Sequence, residues 1–252
     1  MPTCTLWGDA DATRAAMKAT LGKDHAQPML KSLDNPIWSA LTTEHRLLAL
    51  SHGVARRYPP DVSPLAALLH PTNDAFADLQ GLVSPGEQVA LFTAGPLDVP
   101  GAWDVDRSRW IDQMICEALL APPPVVPLPL GTTDVPEMLE LTAATEPGPF
   151  LPQTIQMGSY FGIRANDGRL VAMAGERLRS TAFTEISAVC THPEFRGRGY
   201  ARDLTMFLAA QIQAAGKTPF LHVKSENGAK VVYQKIGFRL RTAIYLTVIS
   251  LR

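Results

Sequence analysis

Apolar residues in the second half of the chain recur with two periods. Ala201, Leu204, Leu208, Ile212 and Ala215 fall at three- and four-residue steps and predict an amphipathic helix from Tyr200 to Ala215, stopped by Gly216. Ala229, Val232, Tyr233 and Ile236 mark one face of a shorter helix closed by Gly237. Asp134 to Thr145 reads as a third, with Asp134 as N-cap, Pro136 in the first turn and Glu137 three residues after the cap. Between these lie strand patterns. Tyr160 to Arg164 and Leu170 to Gly175 form a hairpin across Asn166-Asp167-Gly168, whose Asp-Gly favours positive φ. Phe183 to Thr191 is a strand ended by His192-Pro193, because proline cannot donate to a continuing ladder. Phe220 to Val223 is a compact apolar strand, and Phe238 to Leu251 alternates enough for one or two more. A hairpin followed by strand, helix, strand, helix and strand is the order of an α+β domain.

The first half is less periodic. Thr13 to Leu21 and Thr43 to Leu50 read as helices, and Gln88 to Phe92 as a strand after the Ser84-Pro85-Gly86 turn. Trp38, Trp103 and Trp110 are expected in the core. His45 and His52 could share a helix face, but residues 1–125 hold no metal-ligand spacing, nucleophile motif or phosphate loop. Three consecutive prolines in Ala121 to Pro129 deny the backbone helix geometry and donors, which predicts a semi-rigid linker. Two domains are therefore expected, 1–125 and 126–252.

Composition adds limits. At 252 residues, 46% hydrophobic and 19% charged, the chain can bury a sizeable core. Its three cysteines, Cys4, Cys116 and Cys190, are far apart and cannot all pair, which fits a reducing, cytoplasmic setting. No run of about 18 apolar residues predicts a membrane span. Residues 131–252 carry 14 Lys and Arg against 10 Asp and Glu, a net +4, while residues 1–130 carry −5. That balance suits a small anionic ligand and is too mild for nucleic acid.

Candidate chemistry concentrates at Arg196-Gly197-Arg198-Gly199-Tyr200-Ala201. A strand, a glycine-bearing turn and an amphipathic helix aim unpaired backbone N–H groups and the positive helix end at one point. Glycine at 197 and 199 lets backbone approach an anion, and Arg196 and Arg198 add charge. The segment lacks the Gly-Lys-Ser/Thr ending of a P-loop, and it opens no chain of parallel βαβ units.

These residues resemble the GNAT superfamily of acyl-CoA-dependent N-acetyltransferases over roughly residues 126–252. The family's Gln/Arg-x-x-Gly-x-Gly/Ala signature is met by Arg196, Gly199 and Ala201, and its closing Asn…Tyr…Gly-Phe pattern by Asn227, Tyr233 and Gly237-Phe238. The resemblance implies a mixed, mostly antiparallel sheet flanked by helices, acetyl-CoA as co-substrate, and no metal. It implies coenzyme pyrophosphate at Arg196, Gly197, Arg198, Gly199, Tyr200, Ala201 and Arg202, and the pantetheine arm against Val189, Cys190 and Thr191. Asn227 would contact the departing coenzyme, and the Tyr233 hydroxyl would face the thioester sulfur. Glu185 stands where some members place a catalytic glutamate, with Glu176 or water as the other candidate bases. Residues 1–125 would be a degenerate copy of the same fold, as in the glycine N-acyltransferase-like branch, though they lack the glycine signature.

The expected activity is acetyl or short-acyl transfer from coenzyme A to a primary amine by direct attack in a ternary complex. Its expected partners are acetyl-CoA and an amine acceptor, in a monomer or homodimer without nucleic acid or membrane. A backbone N–H near Val189 or Cys190 could serve the developing oxyanion. A covalent acyl-Cys190 route is set aside in favour of reading Cys190 as a small buried thiol. A non-catalytic acyl-CoA sensor and a protein-interaction module are the alternatives.

Overall fold

The computed structural model describes residues 30–252, so the predicted helix Thr13 to Leu21 and Cys4 lie outside the described residues. Asn35–Arg252 forms one compact unit. Its first helix, α1 (Pro36–Thr42), starts where Asn35 accepts a hydrogen bond from the Trp38 backbone N–H and proline occupies the first turn. The helix expected at Thr43 to Leu50 is absent: a 3-10 turn, Arg46–Leu48, leads into β1 (Leu50–His52). The hydroxyls of Thr42 and Thr43 bond back to the Trp38 and Ser39 carbonyls, a local competition that favours a helix end over continuation. β1, β2 (Ala55–Arg57) and β3 (Ala66–Leu68) make a small antiparallel sheet, followed by α2 (Asn73–Gln80), capped by Thr72.

The main sheet has eight strands. They are β4 (Gln88–Thr93), β5 (Trp103–Ile115), β6 (Leu128–Leu130), β7 (Tyr160–Arg164), β8 (Leu170–Arg179), β9 (Phe183–Thr191), β10 (Thr218–Lys224) and β11 (Arg239–Leu251). Their spatial order is β4-β11-β5-β10-β9-β8-β7-β6, antiparallel except for the parallel pair β9 and β10. The expected mixed, mostly antiparallel sheet flanked by helices is thus present, and the predicted hairpin is β7 and β8.

The boundary expected near residue 125 does not divide the structure. β5 lies between β10 and β11, hydrogen-bonded to both, so residues before the proline segment complete the sheet formed after it. Non-local strand pairing leaves no mark in local sequence pattern, and the prolines connect strands within one unit.

Three helices flank the second part: α3 (Val135–Thr145), α4 (Tyr200–Ala214) and α5 (Ala229–Ile236). Asp134 precedes α3 as predicted, but its carboxylate does not cap that helix; it accepts from the Gly131 N–H and pairs with Arg164. Leu204, Leu208 and Ile212 of α4 pack with Met114, Ile186, Leu221, Val223, Ile236 and Phe238 on one face of the sheet. Each such fully buried aliphatic side chain contributes about 1.5–3 kcal/mol. The other face carries Met138 and Leu141 of α3 with Tyr160, Met173 and Cys190. Trp103 is buried as expected, whereas Trp110 is 44% exposed, with its ring edge-on to Tyr245.

Candidate active site

β9 and β10 pair only over Thr218–Phe183, Pro219–Thr184 and Phe220–Glu185. Beyond that point they part: Leu221 to Lys224 stay with β5, and Ser187, Cys190 and Thr191 stay with β8. The β8–β9 register slips between Met173 and Gly175, and Ala188 takes φ 51°. A β-bulge of this kind bends its strand and interrupts the ladder. Ile186 to Thr191 therefore has no strand partner on its β10 side, which opens a cleft of about 1470 Å³ through the sheet.

The glycine-bearing loop closes one end of this cleft. A 3-10 turn, Pro193–Phe195, brings the chain to Gly197 at φ 79° and Gly199 at φ 85°, and α4 then begins with no side-chain cap. The left-handed region costs L-residues roughly 1–2 kcal/mol, hence glycine. Arg196, Gly197, Gly199, Tyr200, Ala201 and Arg202 line the cleft with Val189, Cys190, Thr191, Asn227 and Tyr233. Arg198 does not; its guanidinium lies over the Phe195 ring at 4.8 Å. Thr191 Oγ1 is enclosed without a hydrogen-bond partner, and the first N–H groups of α4 lack a capping side chain. Uncapped N–H groups, a glycine turn, arginines and a partnerless strand edge fit a long phosphorylated ligand with an amide-bearing arm.

Tyr233, on α5, is half-buried and faces the cleft, and burial pushes its phenol up to about 12. Asn227 sits in the turn before α5, where its side-chain oxygen accepts from the Ala229 N–H. Cys190 is buried, and its thiol is pushed up to about 11 by that burial. A thiol so raised is a poor nucleophile.

Glu185 differs most from expectation. It is 1% exposed and does not line the cleft. Arg177 holds both carboxylate oxygens, at 2.9 and 2.6 Å, and His222 Nδ1 lies 2.7 Å from Oε1. Burial alone would raise this carboxyl, but the Arg177 guanidinium and the His222 ring override it and hold the group at about 2. A carboxylate that refuses a proton until pH 2 is not a base poised for neutral pH. Glu176 is no substitute: it accepts from the Ser159 N–H and lies outside the cleft.

Glu185 instead belongs to a relay across five neighbouring strands. Arg241 Nη1 donates to Gln113 Oε1 at 2.9 Å, and Gln113 Nε2 meets His222 Nε2 at 3.1 Å. Arginine has only donors, so Gln113 turns its oxygen to Arg241 and its NH2 to His222. His222 Nε2 then accepts, and Nδ1–H donates to Glu185. Phe92 covers this ring edge-on at 4.8 Å. The sequence gives no local sign of the relay, because its members are brought together by strand register. Among the described residues, Glu146 is the single carboxylate lining the cleft, and no group of His, Cys, Asp and Glu is arranged to hold a metal ion. His45 is buried against the Tyr58 hydroxyl, and exposed His52 bonds the Asp78 carbonyl; neither lines the cleft.

A family model described as FR47-like protein matches residues 160–247. A solved structure from Novosphingobium aromaticivorans, assigned as an acetyltransferase from the GNAT family, is 36% identical, covers 87% of this chain and 98% of its own, and superposes with a TM-score of 0.79. A GCN5-related N-acetyltransferase from Kribbella flavida shares the fold at 17% identity, with 83% and 95% of the two chains covered and a TM-score of 0.55. A Drosophila protein does so at 16% identity, with 79% and 73% covered and a TM-score of 0.59. No curated protein matches the sequence. At more than a third identity over nearly the full length of a solved relative, the chain belongs to the GNAT family.

Proposed function

We propose that the protein transfers an acetyl or other short acyl group from coenzyme A to a primary amine by direct attack in a ternary complex. The observation that carries this reading is the partnerless stretch of β9, flanked at one end by the uncapped start of α4 and faced by Tyr233. Acetyl-CoA supplies the acyl group as a thioester, activated toward an amine. N–H groups of Gly197 to Arg202, with Arg196 and Arg202, hold its pyrophosphate, and the backbone of Val189, Cys190 and Thr191 holds the pantetheine arm. Asn227 lies along the coenzyme's path. An N–H of the Val189–Cys190 stretch donates to the acyl carbonyl oxygen.

Tyr233 donates a hydrogen bond to the sulfur and keeps its proton. With the phenol near 12, handing that proton to a thiolate of reference pKa about 8.5 would cost roughly 5 kcal/mol. Glu185 holds Arg177 and His222, which line the cleft, and water accepts the amine proton. The rate should then rise with pH along the titration of the acceptor amine.

The test is thiol release from acetyl-CoA across a panel of amines, with coenzyme binding measured separately by calorimetry. Tyr233→Phe should lower kcat about 10- to 100-fold, the loss of one hydrogen bond to a charged group. A wild-type rate in that variant would remove Tyr233 from the mechanism. One observation favours a second reading, a coenzyme sensor: neither Glu185 nor Glu176 is free to take a proton. Coenzyme binding without thiol release for any amine would establish the sensor instead.

A further inference from the structure

β5 is densely charged, and its charges are unequally satisfied. Asp104 pairs with Arg252, Asp106 bonds Gln88 and Ser250, and Asp112 bonds Lys230 and Ser225. Arg107 and Arg109 line the cleft, and among the described residues neither side chain has a hydrogen-bond or ion-pair partner. Two residues apart on a strand, they share one side of the pleat. Across the sheet, Leu246 stands opposite Arg109 and Val248 opposite Arg107, with Phe92 beside Leu246. Two guanidiniums thus stand over an apolar floor, in a cleft whose single described carboxylate is Glu146. Guanidinium forks there match a pair of oxygens on a carboxylate or phosphate.

Their side of the sheet indicates which ligand they serve. α4 and α5 pack on the face that carries Met114, Leu221 and Val223. By alternation, Arg109 and Arg107 rise from the opposite face, that of Gln113 and His222. The pyrophosphate loop and Tyr233 belong to the first face, so the arginines stand across the opened sheet from the coenzyme's anchor.

We propose that Arg107 and Arg109 bind an anionic group carried by the acceptor, so that the substrate is a small amine with a carboxylate or phosphate at its far end. The assignment rests on the acyl-transfer reading for what the amine does, and on the cleft alone for the anion.

The test uses the full chain saturated with coenzyme A and calorimetric titration of matched ligands. These are ω-amino acids against their primary amides, and ω-aminoalkyl phosphates against the corresponding amino alcohols, at chain lengths of two to six carbons. The same compounds are then assayed with acetyl-CoA for thiol release. The anionic member of a pair should bind at least tenfold more tightly at its best length, and the phosphate and carboxylate arms identify the group. In the double variant Arg107→Gln, Arg109→Gln that ratio should fall to within twofold, through a raised Kd and KM for the anionic member. Coenzyme Kd should stay within twofold and near-UV circular dichroism should be unchanged. Equal binding of charged and neutral partners at every length would overturn the proposal. So would a parallel loss of coenzyme affinity in the variant, which would assign the arginines to the coenzyme. Anion preference without thiol release would uphold the site and remove the acyl-transfer reading, and thiol release without preference would do the reverse.

Discussion

Glu185 and His45 are buried titratable groups held in opposite charge states, and each predicts a different response to acid. Glu185 is charged and matched by Arg177; Glu185→Gln leaves that guanidinium enclosed and uncompensated, at an expected cost of about 3–5 kcal/mol in denaturant unfolding. The same variant should leave the pH–rate profile in place, because water and not Glu185 takes the amine proton; a shifted limb would restore Glu185 as a base. Its depressed carboxyl stabilises the fold above the ordinary carboxylate range and loses that contribution as pH falls toward about 2. His45 acts earlier. Burial lowers it from 6.5 to about 4, so the folded protein refuses a proton that the unfolded chain accepts. Stability is whole above pH 6.5 and declines by on the order of 3 kcal/mol between pH 6.5 and 4. Urea titrations across that window should show the slope in the native chain and its loss in His45→Gln; an unchanged slope would exclude His45 as its source. Neither environment was legible in sequence, since Arg177 and His222 reach Glu185, and Tyr58 reaches His45, through pairing and packing between elements.

Among the elements, the turn into α4 and the end of α5 place the coenzyme machinery. Gly197 and Gly199 both hold φ near 80°, so alanine at each position costs roughly 1 kcal/mol of strain and adds a methyl group where backbone must approach an anion. The pair Gly197→Ala, Gly199→Ala should weaken coenzyme binding at least tenfold by calorimetry, with a smaller change in stability. Gly237 ends α5 at φ 115°, and a Cβ there would collide with the Ala118 carbonyl oxygen. Backbone cannot step aside as a side chain can. Gly237→Ala should therefore destabilise the protein by about 2 kcal/mol or more and displace Tyr233, four residues earlier. Both glycine positions were readable as punctuation in the sequence. The bulge at Ala188, which opens β9 from β10, was not: alanine carries no signal for a positive φ, and the surrounding tertiary structure imposes it.

At the scale of the whole molecule, the chain before the proline segment completes the sheet. β5 separates β10 from β11 and β4 pairs with the other side of β11, so a fragment of residues 126–252 would bare one edge of β10 and both edges of β11, and lose the floor bearing Gln113, Arg107 and Arg109. Unpaired edges of this length invite aggregation. That fragment should fail to give a folded spectrum, whereas residues 35–252 should retain near-UV circular dichroism and coenzyme binding; an independently folded 126–252 would restore the two-domain division. The sequence by itself determined the α+β order, the helix and strand periods of the second half, the anion-binding turn and Tyr233, because each is written in residues close together along the chain. Only the tertiary structure decided that β5 belongs to the same sheet, that Glu185 is locked in a relay, and that two unpartnered arginines face the cleft. Those features depend on the register between strands brought together from distant parts of the chain, and local sequence pattern does not encode register across such distances.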